Sequence, residues 1–173
     1  MKKMIFSALA LVAFATNSNA QATTQASAEA TIVTPISIVK DVDMNFGNVA
    51  VQAATGGTVV LATDGTRLPG GAGGVTLPIV TGTVSAASFT VSGTAGYAYN
   101  VTLPSPSVTL TRSSGGQTMT ASNFTSDPTT NTGVLDATTG NQTLNVGATL
   151  NVAAGQVAGV YTCASFDVTV NYN

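Results

Sequence analysis

Residues 26 to 46, ASAEATIVTPISIVKDVDMNF, alternate in character for longer than one strand of a small domain can run. The even positions are Ala26, Ala28, Ala30, Ile32, Thr34, Ile36, Ile38, Lys40, Val42, Met44 and Phe46, and the odd ones are mostly polar. A period of two is the signature of a pleated strand. At about 3.3 Å per residue this stretch would extend roughly 70 Å, against about 17–20 Å for a typical strand. Pro35 has no N–H for a ladder, so the stretch reads as two strands meeting at Thr34-Pro35. The second, Ile36 to Phe46, carries large apolar side chains and belongs to a core. The first, Ala26 to Ile32, has a narrow apolar face ending in one large side chain.

The first twenty residues are expected to lie outside the fold. MKKMIFSALALVAFATNSNA begins with Lys2 and Lys3, continues with an apolar run from Met4 to Ala15 and closes on the small residues Ser18 and Ala20. That is the pattern of a secretory signal peptide over 1–20, with cleavage before Gln21; the run is shorter than the roughly 20 residues a spanning helix needs. The expected organisation is a signal peptide over 1–20, an N-terminal extension over 21–34 and one β-domain over 35–173.

Downstream, alternating windows rich in β-branched residues recur with turn signals between them. Thr58 to Thr63 reads as a strand ended by Asp64-Gly65, a hairpin dipeptide whose residues tolerate positive φ. RLPGGAGGVTLP, from Arg67, reads as a loop. ASFTVSG and GYAYNVTLP each read as a strand, and a hairpin through Ser114-Gly115-Gly116 sets the Val108/Leu110 face against Met119. Leu144, Val146, Ala148, Leu150 and Val152 alternate without a break, and Phe166, Val168, Val170 and Tyr172 form the closing strand. About eight short strands, with no helical periodicity after Gln21, predict an all-β antiparallel sandwich.

Chemistry is scarce. The chain has no histidine and no tryptophan, so the commonest general base, the commonest transition-metal ligand and the best sugar-stacking platform are missing. The sole glutamate is Glu29, and Asp41 with Asp43 is too isolated for a carboxylate-pair hydrolase, so no enzyme and no catalytic residues are expected. Asp41, Asp43, Asn45 and Gly47 echo a calcium loop, but the glycine falls at position seven, Gln52 stands where a bidentate Glu is required, and flanking helices are missing; the stretch reads as a strand edge, with no metal or cofactor expected. GGAGG at 70–74 lacks the lysine and helix of a phosphate cradle. The sequons at Asn100, Asn123 and Asn141 are what chance yields in such a composition. Beyond the leader, Lys40, Arg67 and Arg112 face seven carboxylates, and an acidic chain with no basic cluster has no means to neutralise nucleic acid. Cys163 stands alone, so no internal disulfide forms; it is expected to be a small buried residue.

Both ends of the domain point to another chain. FDVTVNYN closes on a strand whose far edge nothing downstream can cover, and an exposed apolar edge invites pairing. A spare alternating strand at the N-terminus, with Ala26, Ala28, Ala30 and Ile32 as its inward set, could occupy the acceptor edge of Phe166, Val168, Val170 and Tyr172 in the next subunit, an open contact that generates a filament.

The combination of ATIVTPISI, MNFG, ASFTVSGTAGYAYNVTLP, LNVGATLNVAAGQVAGVYT and FDVTVNYN resembles an uncharacterised family of bacterial secreted domains, similar in turn to alternate chaperone-usher pilins and spore coat U proteins. Gly159 and Tyr161, followed by the closing strand, are its most specific part. The resemblance implies an immunoglobulin-like, pilin-like sandwich exported to the periplasm and then the cell surface. It also implies a chaperone and an outer-membrane usher as partners, donor-strand exchange into a fimbria-like homopolymer, and a structural role in cell adhesion. Many such pilins carry a disulfide, which this chain cannot form internally. The competing expectation keeps the fold: residues 26 to 33 pair with the chain's own closing strand, giving a monomeric surface or glycan-binding domain.

Overall fold

The computed structural model describes residues 21–173; the signal-peptide reading of 1–20 lies outside them. The chain divides into compact units at Ile32/Val33. Residues 21–32 contain no strand and are exposed throughout.

Among the described residues the second unit, 33–173, is all-β with no helix. Its strands are β1 (Ser37–Val42), β2 (Ala50–Val51), β3 (Gly57–Leu61), β4 (Arg67–Gly70), β5 (Val75–Thr76), β6 (Ala87–Ser92), β7 (Ala98–Thr102), β8 (Ser107–Arg112), β9 (Thr118–Asp127), β10 (Gly133–Val134), β11 (Asn141–Val152), β12 (Tyr161–Thr162) and β13 (Thr169–Tyr172). All pairings are antiparallel. The largest sheet runs β1-β6-β11-β9-β8-β12, with β3 attached to β11 and β4 to β3. A second sheet is β10-β7-β13, and β2 pairs with β5.

The alternation of β11 organises the packing. Leu144 and Val146 enter one core with Phe89 and Val91 of β6, facing Tyr99 and Val101 of β7 and Val170 of β13 across the sandwich. Ala148, Leu150 and Val152 enter a second core with Val59, Leu61, Val75 and Phe46. Burial of each large side chain contributes about 1.5–3 kcal/mol. Gly147 marks the change of neighbour: β11 pairs β6 as far as Val146 and β3 from Ala148 onward. A Cβ on Gly147 would lie 2.3 Å from the Leu61 carbonyl oxygen, so only glycine admits the crossing strand.

Several elements depart from expectation. The stretch beginning RLPG is not a loop, because the Asp64-Gly65 turn propagates its register into β4, pairing Val59 with Pro69 and Leu61 with Arg67. Proline is tolerated there because β4 is an edge. The strand expected to run to Phe46 leaves the ladder after Val42, following a register shift between Lys40 and Val42, and only Asn45 bridges back, to Ser85. The closing strand begins at Thr169 rather than Phe166. Its register pairs Thr169 with Thr102, so extending it would set Asp167 opposite Pro104, which has no N–H to give. Cys163 is half-buried rather than buried.

Candidate functional site: the free edges of β1 and β13

Residues directly opposite in a ladder share a face. On β1, Ile38 pairs with Val91 and Lys40 with Phe89, so both belong to the core-facing row. Eight half-buried hydrophobics pack against the first core, and six of them, Ile36, Ile38, Met44, Phe166, Val168 and Tyr172, come from β1 and β13 or their flanks. Among the described residues β1 pairs only with β6, and β13 only with β7. These two strands therefore come near each other without pairing, and the side chains that border the first core between them are half-buried.

The edges differ in how they resist pairing. Proline, charge, bulges and shortness all blunt an edge. β4 carries Pro69, and β10 and β12 are two residues long. β8 extends past β12 over Ser107 to Leu110, between Pro106 and Arg112. β1 has its register shift, and its core-facing Lys40 reaches out to form an ion pair with Asp43 at 2.6 Å. Thr169–Tyr172 contains no proline, charge or bulge, and half-buried hydrophobics packed on the first core lie beside it.

One end of the region between these edges is tied by Tyr172. Its hydroxyl donates to the Thr34 carbonyl (2.8 Å) and accepts from the Thr94 backbone N–H (2.7 Å). Thr34 N–H in turn donates to Thr94 Oγ1 (2.9 Å). Gly93 leaves room for the phenol, since a Cβ there would lie 2.2 Å from its oxygen, and Tyr97 meets the Tyr172 ring edge-on at 5.6 Å. The extension thus enters the sandwich at a point fixed by the closing strand. Near the other end of the closing segment, Phe166 packs on Phe124 at 5.4 Å.

The predicted acceptor residues divide: Val170 and Tyr172 lie on β13, while Phe166 and Val168 precede it, half-buried. The predicted donor residues Ala26, Ala28, Ala30 and Ile32 are exposed and form no strand in the single chain, with Ile32 97% exposed. The Thr34–Thr94–Tyr172 node was not legible in advance, because it joins residues 60 and 138 positions apart.

Other singled-out residues have local roles. Asp41 accepts from the Thr90 hydroxyl at 2.8 Å. Among the described residues no three His, Cys, Asp or Glu side chains come together. Gly159 has φ +151°, and a Cβ there would lie 2.5 Å from Nε of Arg112, whose Nε–H donates to the Ala158 carbonyl. Tyr161 donates to the Val157 carbonyl at 2.6 Å and accepts from Gln156. The Gly-x-Tyr signature therefore folds the loop before β12 and offers no reactive group.

Fold and free edges together define an all-β antiparallel sandwich module. Residues 36–172 match the family described as a domain of unknown function (DUF4402), and the chain belongs to that family. No curated protein and no solved structure matches the chain.

Proposed function

We propose that this chain is a structural subunit of a bacterial surface filament, joined by insertion of Ala26 to Ile32 of one subunit beside β13 of the next. The observation that carries the reading is the pairing of a free, unguarded β13 edge, flanked by half-buried hydrophobics, with an unpaired alternating segment ahead of Thr34. In this arrangement backbone ladder bonds supply most of the attachment, Ala26, Ala28 and Ala30 set register, and Ile32 is the one large anchor, contributing about 1.5–3 kcal/mol on burial. The contact is heterologous and does not close on itself, so it propagates.

The same reading assigns export through the periplasm, a chaperone that covers the β13 edge before assembly, and an outer-membrane usher. Its rival is a closed monomer in which residues 26 to 33 occupy the chain's own β13 edge. Size-exclusion chromatography and unheated gels of the mature protein separate the two. Assembly gives large species and a ladder that Ile32→Asp abolishes, because a charge enters an apolar slot; a single compact peak for both proteins overturns the proposal.

A further inference from the structure

At ten positions with positive φ the described chain uses glycine; Asn123, at φ +49°, is the one residue there that keeps a side chain. It sits where the β9–β11 ladder slips. Thr125 pairs with Gly147 and Ser122 with Thr149, so Asn123 and Phe124 together oppose Ala148. This is a bulge, a device that re-aims side chains, and glycine would meet its backbone demand with less strain. Asn is the side-chain-bearing residue that best tolerates this region, so the bulge presents an amide at a position its backbone allows.

Asn123 and Phe124 line an open cleft of about 470 Å³ whose other walls are Val101–Pro106 and Thr130–Asn131. That volume lies in the range of small-molecule sites, about 300–1,000 Å³. No ionisable side chain lines it. The Asn123 and Asn131 residues that line it are exposed, so their amides are open to solvent and to a ligand. Leu103, Pro104, Pro106 and Phe124 supply apolar surface between them.

We infer that this cleft binds a neutral saccharide, with Asn123 and Asn131 reading its hydroxyls and Phe124 and the prolines meeting a C–H face of the ring. An Asn side chain offers an acceptor and two donors, the complement of adjacent hydroxyls that both give and take protons. The lack of charge disfavours phosphates, carboxylates and amines, which would lose hydration without gaining a counter-charge. An extended peptide is disfavoured because Pro104 and Pro106 deprive that wall of two N–H groups a ladder would need. The inference is independent of how the subunits join.

The test is ligand-observed saturation-transfer NMR on the mature protein, with methyl glycosides of glucose, galactose, mannose and N-acetylglucosamine and, in competition, N-acetyl-trialanine amide. At least one glycoside should receive saturation concentrated on one ring face, with Kd of millimolar order. Asn123→Gly, which suits the backbone, and Asn131→Ala should each weaken it by at least about tenfold, equivalent to about 1.4 kcal/mol, with melting unchanged. Asn100→Ala, on the exposed face of β7, should bind as the parent does. If Asn123→Gly misfolds, Asn131→Ala carries the test. The inference is overturned if no glycoside receives saturation, if the cleft variants bind as well as the parent, or if the peptide displaces every glycoside from the same residues.

Discussion

Removing a single oxygen, by Tyr172→Phe, tests whether the root of the extension is fixed by the closing strand. The hydroxyl makes two hydrogen bonds, at 2.7 Å from Thr94 N–H and 2.8 Å to the Thr34 carbonyl. A neutral hydrogen bond contributes about 0.5–1.5 kcal/mol net. Thr34 is exposed and its carbonyl keeps a contact with Thr94 Oγ1 at 3.3 Å, so water and that hydroxyl recover part of the loss there. The Thr94 amide is part-buried and is left without its acceptor. The expected destabilisation is therefore about 1–2 kcal/mol, read from urea unfolding of residues 33–173, with the m-value unchanged. The ring should stay against Tyr97, so the near-ultraviolet spectrum keeps its shape while amide exchange at Thr94 accelerates and exchange at Val91 does not. A change within about 0.5 kcal/mol, the level of an ordinary surface substitution, together with unaltered exchange at Thr94, would refute the node as an anchor.

Three further outcomes follow from the packing and electrostatics. Gly133 lies flat against the buried Tyr99 ring, and a Cβ would fall 2.5–2.7 Å from three ring carbons; Gly133→Ala should cost about 1–3 kcal/mol by overpacking, measured by chemical denaturation. The Arg67 guanidinium bonds the carbonyls of Phe46, Asn48 and Thr81, so Arg67→Met should loosen the loop after Leu77 and speed its limited proteolysis. Asp136 is held below the ordinary carboxyl value of 3.8 by the Thr139 and Thr138 N–H groups and then the Thr139 hydroxyl, and Asp64 by the Thr66 hydroxyl and then its N–H. A carboxyl depressed on folding stabilises above its unfolded pKa and loses that contribution as pH falls through the folded value; melting temperature should fall below about pH 4, and an Asp64→Ala, Asp136→Ala double variant should start lower and fall less steeply.

Sequence reading works where a strand's environment is uniform along its length. β11 was legible to the residue because every even position from Leu144 to Val152 meets a core, and the β8–β9 hairpin because its turn glycines fix Leu110 opposite Met119. It falls short where a partner strand decides the outcome. Pro69 argues for a loop until one knows that it lies on an edge, and the late start of β13 depends on Pro104, a residue just past the end of the neighbouring strand β7. The candidate cleft was hidden for the same reason. The unusual φ of Asn123 comes from a slip between β9 and β11, and nothing local to SNFT announces it. The free edge of β13 was partly legible, as a strongly alternating strand of β-branched and aromatic residues without charge after Asp167. The bulge and Lys40 that distinguish the β1 edge from β13 required the ladder itself.

The most direct test of the filament account is to delete Gln21 to Val33 and titrate the remaining chain with a synthetic peptide of that sequence while following backbone amides by NMR. Strand insertion at the β13 edge predicts saturable binding, new exchange protection confined to β13 and the residues beside it, and a rise in melting temperature, all absent when the peptide carries Ile32→Asp. A deleted chain that stays a stable monomer and ignores the peptide, with the full mature chain also eluting as one compact monomer, would contradict it.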